Sequence, residues 1–114
     1  MKLLYKDPQK YDCKKIIKTL ENPLLDPKET CNVLISLSLY DDDPYKYKDI
    51  IYSLFSSNNI SISRSAITSI GHLVRRGVIK DKNEFIKYSK LSPFSTVLKG
   101  NIDDVIDDFD IYLK

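Results

Sequence analysis

Arg64, Thr68, His72 and Arg75 are spaced i, i+4, i+8 and i+11, which places them together on one side of a helix. His72 is the only histidine, and it stands with the consecutive Arg75 and Arg76 inside the run "AITSIGHLVRRG". An imidazole beside guanidinium groups has the chemistry to hold a phosphate or to move a proton in RNA cleavage. Catalysis would also need a second base or a nucleophile in step with the histidine. No Ser-His-Asp or Cys-His arrangement can be assembled from this chain. The four residues therefore read as the polar face of a packed helix, with Arg64 and Arg75 pairing to aspartates of neighbouring helices and His72 bonding to a backbone group. No enzymatic activity is expected.

Two acidic sets carry the stronger functional signal. Asp41, Asp42 and Asp43 precede Tyr45 and Tyr47, and Asp103, Asp104, Asp107, Asp108 and Asp110 follow near the C-terminal end. Asp42 and Asp43 suit a helix N-terminus. The pairs Asp103 with Asp107 and Asp104 with Asp108, however, lie at i, i+4 and repel each other by a few tenths of a kcal/mol. Repulsion of that kind points to a basic partner that neutralises it. The expected contact residues are Asp42, Asp43, Tyr45, Tyr47, Asp103, Asp104, Asp107 and Asp108, the tyrosines anchoring and the aspartates steering. The spacing and internal glycine of a calcium loop are absent, so no metal and no cofactor are expected. Lys80, Lys82, Lys87, Lys90 and Lys99 could contact phosphates, but net charge is only +2 and the C-terminal part is acidic. Nucleic acid is therefore an unlikely partner.

Helices must position these residues. Asp7-Pro8, Asp26-Pro27 and Asp43-Pro44 read as helix starts, because aspartate accepts from free N–H groups of the first turn and proline loses nothing at the next position. The expected helices cover residues 8–21, 27–40 and 44–57. A fourth runs from a cap at Ser61 to Gly77, a fifth from Asp81 through Phe85, Ile86 and Leu91, and a last one turns Ile102, Val105, Ile106, Phe109, Tyr112 and Leu113 inward. The helix over 27–40 is apolar almost all round and should be the central one, although "VLISLSLY" also alternates like a strand. Gly71, inside a helix, calls for close approach of a neighbouring one.

A chain of 114 residues with 30% charged residues suits a single soluble domain. Cys13 and Cys31 read as small core residues in a reducing compartment. No apolar stretch approaches the length of a membrane span, and "MKLLYKDPQKYD" lacks the apolar core of a secretion signal, so a cytoplasmic location is expected.

The stretch from Leu39 to Leu91, followed by "IDDVIDDFDIYL", resembles small bacterial HEAT-repeat-like proteins over roughly residues 31 to 113. The resemblance rests on the aspartate-rich turn from Tyr40 to Tyr47, the polar turn from Ser61 to Arg64, the Gly71, His72, Arg75 motif, and the acidic helix from Asp103 to Phe109. Arg76 stands where a second histidine is common, and Tyr45 and Tyr47 replace a usual tryptophan. The resemblance implies an all-α fold of about six helices, stacked as antiparallel pairs in a short HEAT-like α-solenoid spanning residues 1–114 as one domain. It also implies an immunity protein, resembling those of contact-dependent inhibition and polymorphic toxin systems. Such a protein would bind a cognate toxin, often a nuclease, in a 1:1 complex and occlude its active site. The expected partner is thus a protein toxin, with no membrane and no small-molecule substrate. A HEAT-like adaptor of unknown partner is the alternative, and a weak nucleic-acid-binding protein the third reading.

Overall fold

The computed structural model describes residues 11–112. Among them are six α-helices and no strand: α1 (Cys13–Glu21), α2 (Pro27–Tyr40), α3 (Lys48–Ser53), α4 (Ile60–Arg75), α5 (Lys82–Ser89) and α6 (Lys99–Tyr112). None is long and apolar enough to cross a membrane. Asp7 and Pro8 lie outside the described residues. The first helix begins at Cys13, where the Asp12 carboxylate accepts from the Lys15 N–H at 2.8 Å. That start puts Ile16 and Leu20 in the core and leaves Ile17 and Cys13 on the outer side. Cys13 is thus exposed rather than a core residue, and Cys31 is half-buried.

Asp26 caps α2 as expected, its carboxylate accepting from Glu29 N–H at 3.2 Å. The alternation in "VLISLSLY" does not mark a strand. Ser36 and Ser38 are buried helical residues, and the Ser38 hydroxyl donates to the Ile35 carbonyl at 2.8 Å. Buried hydroxyls that bond within the helix can occupy positions a period-2 pattern assigns to solvent.

The expected helix over 44–57 is broken into a 3-10 turn (Pro44–Tyr47), the short α3, and a second 3-10 turn (Leu54–Ser56). Asp43 makes no side-chain cap. Instead the Asp41 carboxylate, two residues earlier, accepts from Asp43 N–H at 2.8 Å and closes the turn. At the far end the Phe55 carbonyl accepts from the buried Ser63 hydroxyl at 2.9 Å, a tertiary bond that competes with helix continuation. Despite the breaks, Tyr47, Ile51, Leu54 and Phe55, spaced i, i+4, i+7 and i+8, are all buried.

Helix α4, not α2, is central. Asn59 rather than Ser61 caps it, accepting from Ile62 N–H at 3.1 Å, and nine of its residues are buried. It packs along α2 on one side and α6 on the other. Its end is a Schellman motif: Gly77 takes φ +75°, Gly77 N–H donates to Val74 O at 3.0 Å, and Val78 N–H to Leu73 O at 2.8 Å. Asp81 then caps α5 through Glu84 N–H at 3.0 Å. Leu91 falls beyond α5 and is 56% exposed rather than packed.

In α6 the inward side carries Val105 and Phe109, with Ile102 and Ile106 half-buried against the core. Tyr112 is exposed, contrary to expectation, and Leu113 lies outside the described residues.

Gly71 meets Val105 and Arg75 meets Asp108, so α4 and α6 advance in step. Arg76 at the end of α4 bonds the Ser38 and Asp41 carbonyls at the end of α2. Helices α2, α4 and α6 therefore point the same way. An aromatic column joins the others: Tyr52 stacks on Tyr88 with centroids 4.6 Å apart, Phe55 meets Phe85 at 5.8 Å, and Phe85 meets Phe109 at 5.7 Å.

Candidate functional site

The C-terminal end of α4 organises the charged surface. Arg76 donates from Nη1 to Ser38 O and from Nη2 to Asp41 O, both at 2.9 Å, fastening the Asp41–Asp43 turn to α4. The adjacent Arg75 pairs through Nη1 with Asp108 of α6, while its Nη2 lies 2.6 Å from His72 Nδ1. Two consecutive guanidinium groups thus hold the Asp41–Asp43 turn and Asp108 of α6 at the C-terminal end of α4. The pairing of Arg75 with an aspartate agrees with the sequence reading. His72, however, bonds to the Arg75 side chain rather than to backbone. Burial, then the neighbouring guanidinium, push the imidazole pKa below its ordinary value, against a smaller opposing pull from Asp108. In the neutral ring Nδ1 accepts from Arg75, so His72 helps aim the fork that holds Asp108.

The acidic helix is largely neutralised within the chain. Lys99 pairs with Asp103 at 2.7 Å, Arg75 with Asp108, and Lys82 with Asp110 at 2.9 Å. The i, i+4 repulsion invoked from sequence is therefore relieved internally, because Asp103 and Asp108 each have a cation beside them. Among the described residues, no cation pairs with the exposed Asp104 and Asp107. Thr68, Gly71, Arg75, Asn101, Asp104 and Asp108 border a shallow groove of about 180 Å³ between α4 and α6. Gly71 sits on its wall, where an added Cβ would lie 3.1 Å from Val105 Cγ2.

The two tyrosines part company. Tyr45 is 53% exposed, with the Lys48 amino group 5.3 Å from its ring centroid. Tyr47 is only 4% exposed and cannot anchor a partner as an exposed ring. It lies on the apolar side of the 3-10 turn, with its hydroxyl buried. Asp42 and Asp43 are both exposed.

Sequence reasoning missed the pocket beside Tyr45. Tyr45, Lys48, Val78, Ile79, Lys80, Asp81 and Glu84 enclose about 270 Å³. Lys48 contacts both oxygens of Glu84 at 3.2 Å, and this bond raises the Lys48 pKa. The available signal was Lys48 at the edge of an otherwise apolar stripe. Arg76 was also missed as a structural residue, since nothing local marks an arginine that reaches carbonyls 35 and 38 residues away. Among the described residues, no group of three or more His, Cys, Asp or Glu side chains could hold a metal ion.

The architecture is that of an all-α domain whose distinctive surface is one charged end. No family model, no curated protein and no solved structure matches the chain.

Proposed function

We propose that this chain is a cytoplasmic binding protein, an immunity protein that neutralises a cognate toxin by covering its active site in a 1:1 complex. In this reading it has no catalytic activity, and its helices stack as HEAT-like antiparallel hairpins. Two sets of contacts support the stacking: α2, α4 and α6 share one direction, and Lys82 meets Asp110 while Phe85 meets Phe109, as across a hairpin. The observation that carries the functional reading is the bridging by Arg75 and Arg76. It presents the Asp41–Asp43 turn, Tyr45 and the outer carboxylates of α6 to a single partner. An acidic end of this kind complements the basic substrate-binding surface of a nuclease and would speed association with it. The contact set narrows to Asp42, Asp43, Tyr45, Asp104 and Asp107. Asp103 and Asp108 keep structural partners, and Tyr47 is buried.

The test is co-expression with the polypeptide encoded directly upstream, followed by growth rescue and stopped-flow binding. A 1:1 complex is expected, with association that slows steeply as salt is added. Asp104→Asn with Asp107→Asn should slow association about tenfold with little change in dissociation. Tyr45→Ala should instead raise the dissociation rate, by about 2 kcal/mol of affinity. Association indifferent to salt and to both aspartates would sink the acidic-surface mechanism.

A further inference from the structure

The cavity of about 270 Å³ beside Tyr45 has walls that are anchored one by one. Tyr45 comes from the 3-10 turn and Lys48 from the start of α3. Val78 and Ile79 follow the Schellman stop of α4, where Leu73 O accepts from their N–H groups at 2.8 and 3.3 Å. Glu84 lies in the first turn of α5, whose cap Asp81 also borders the cavity, and the Lys48–Glu84 pair ties that turn to α3. Walls held in this way need little reordering to take a ligand.

The lining indicates a class of occupant. Lys48 and Lys80 supply two ammonium groups, and Asp81 and Glu84 supply two carboxylates. Net charge therefore favours neither an anion nor a cation. Ile79 is buried and Val78 half-buried, giving an apolar side, and the exposed Tyr45 ring gives an aromatic one. Cavities for drug-sized ligands span about 300–1,000 Å³, so this smaller one suits a single ring.

A polar requirement comes from Tyr52, one helical turn after Lys48 on α3. Its hydroxyl is buried and makes no hydrogen bond to any described residue. Burial, then the Glu84 and Asp81 carboxylates, push its pKa up, with smaller contributions from Tyr88 and Tyr45. Three residues that line the cavity thus stand close to this phenol. A buried tyrosine hydroxyl ordinarily has a partner. Each Glu84 oxygen accepts from Lys48 and keeps a second lone pair for a further donor.

We propose that this cavity binds a neutral aromatic ring that carries a hydroxyl, with the ring against Tyr45 and Val78 and the hydroxyl meeting Glu84 and the Tyr52 hydroxyl. A free small phenol and a tyrosine of a bound protein offer the same chemistry. Tyr45 also belongs to the contact set proposed above, so a tyrosine would deepen that reading. The isolated chain tests the cavity without any toxin, and the two can therefore fail separately.

The experiment is a titration of the full chain followed by amide NMR, with 4-methylphenol, N-acetyltyrosine amide and N-acetylphenylalanine amide as probes. Saturable shifts are expected at Tyr45, Val78, Ile79 and Glu84, with a Kd of about 1–10 mM for 4-methylphenol. Equal binding of the tyrosine amide would point to a tyrosine of a protein, and its exclusion to a free phenol. The phenylalanine amide should bind at least about fivefold more weakly than the tyrosine amide if both enter. Tyr52→Phe keeps the ring that stacks on Tyr88, and it should weaken 4-methylphenol about fivefold. Tyr45→Ala, at an exposed position, should weaken it by a similar factor. Absence of saturable shifts at these residues would overturn the proposal, as would 4-methylphenol affinity unchanged by both variants. Tighter binding there of arginine amide or inorganic phosphate would assign the cavity to a charged group, and tighter binding of uridine to a base.

Discussion

His72 can accept a hydrogen bond on Nδ1 only while the ring is uncharged. Its pKa in the folded chain lies below the ordinary 6.5, so the unfolded chain takes up the proton first as the pH falls. The contribution of His72 to stability is therefore complete above about pH 6.5 and is lost as the pH drops through its native value. Urea midpoints measured at pH 7.5 and pH 5.5 should fall further for the unmodified chain than for His72→Gln. Equal falls would show that the imidazole does not sense its neighbours. Gly71 makes the opposite kind of demand, for space. Alanine there gains about 1 kcal/mol of helix propensity, but its Cβ would lie 3.1 Å from Val105 Cγ2 and 3.4 Å from an Asp108 oxygen. Small-to-large changes at packed sites cost about 1–3 kcal/mol, and two neighbours must move here, one of them the partner of Arg75. Gly71→Ala is expected to be net destabilising by about 1 kcal/mol in urea unfolding. A stabilised variant would mean that α6 shifts freely.

Arg76 acts at the scale of helices, because it fastens the end of α2 to the end of α4 by two carbonyls that one planar guanidinium can span. Arg76→Ala should cost about 1–2 kcal/mol, and Arg76→Lys should recover less than half of it, both read from urea midpoints. Gly77→Ala should cost about 1 kcal/mol, since φ +75° holds the Schellman bonds and strains any side chain. Features set by near neighbours were legible in the sequence. The caps Asp26 and Asp81, the stop at Gly77, the close approach at Gly71, the inward face of α4 and that of α6 as far as Phe109 all follow from local chemistry or helical spacing. Features set by distant partners were not. The break after Phe55 depends on Ser63, and the neutralised charges of Asp103, Asp108 and Asp110 on cations in three different helices. Of the candidate site, the acidic sets could be read as residues, but the fastening of the Asp41 turn and of Asp108 to the end of α4 could not. No rule of spacing links Asp41 to Arg76.

For the molecule as a whole, α4 shares its core with α2 and α6, so no helix pair can be lost without exposing apolar surface on the next. Unfolding should be a single transition, with circular dichroism and tyrosine fluorescence coinciding. Phe109→Ala removes a ring that is 3% exposed and touches Phe85. It should cost about 3 kcal/mol, a large share of the roughly 5–15 kcal/mol of a small domain, and it should shift both signals together. Separated transitions would show that the α5 and α6 end melts on its own. The buried hydroxyls of Tyr47 and Tyr52 give the chain a built-in optical clock. Burial above all pushes both phenols up beyond the ordinary 10.0, so their neutral forms favour the folded state and that support disappears as the pH rises. In a chain without tryptophan, a jump to alkaline pH should ionise the exposed tyrosines at once and these two only as the chain opens. The slow part of the phenolate absorbance would then time unfolding directly, with no label added.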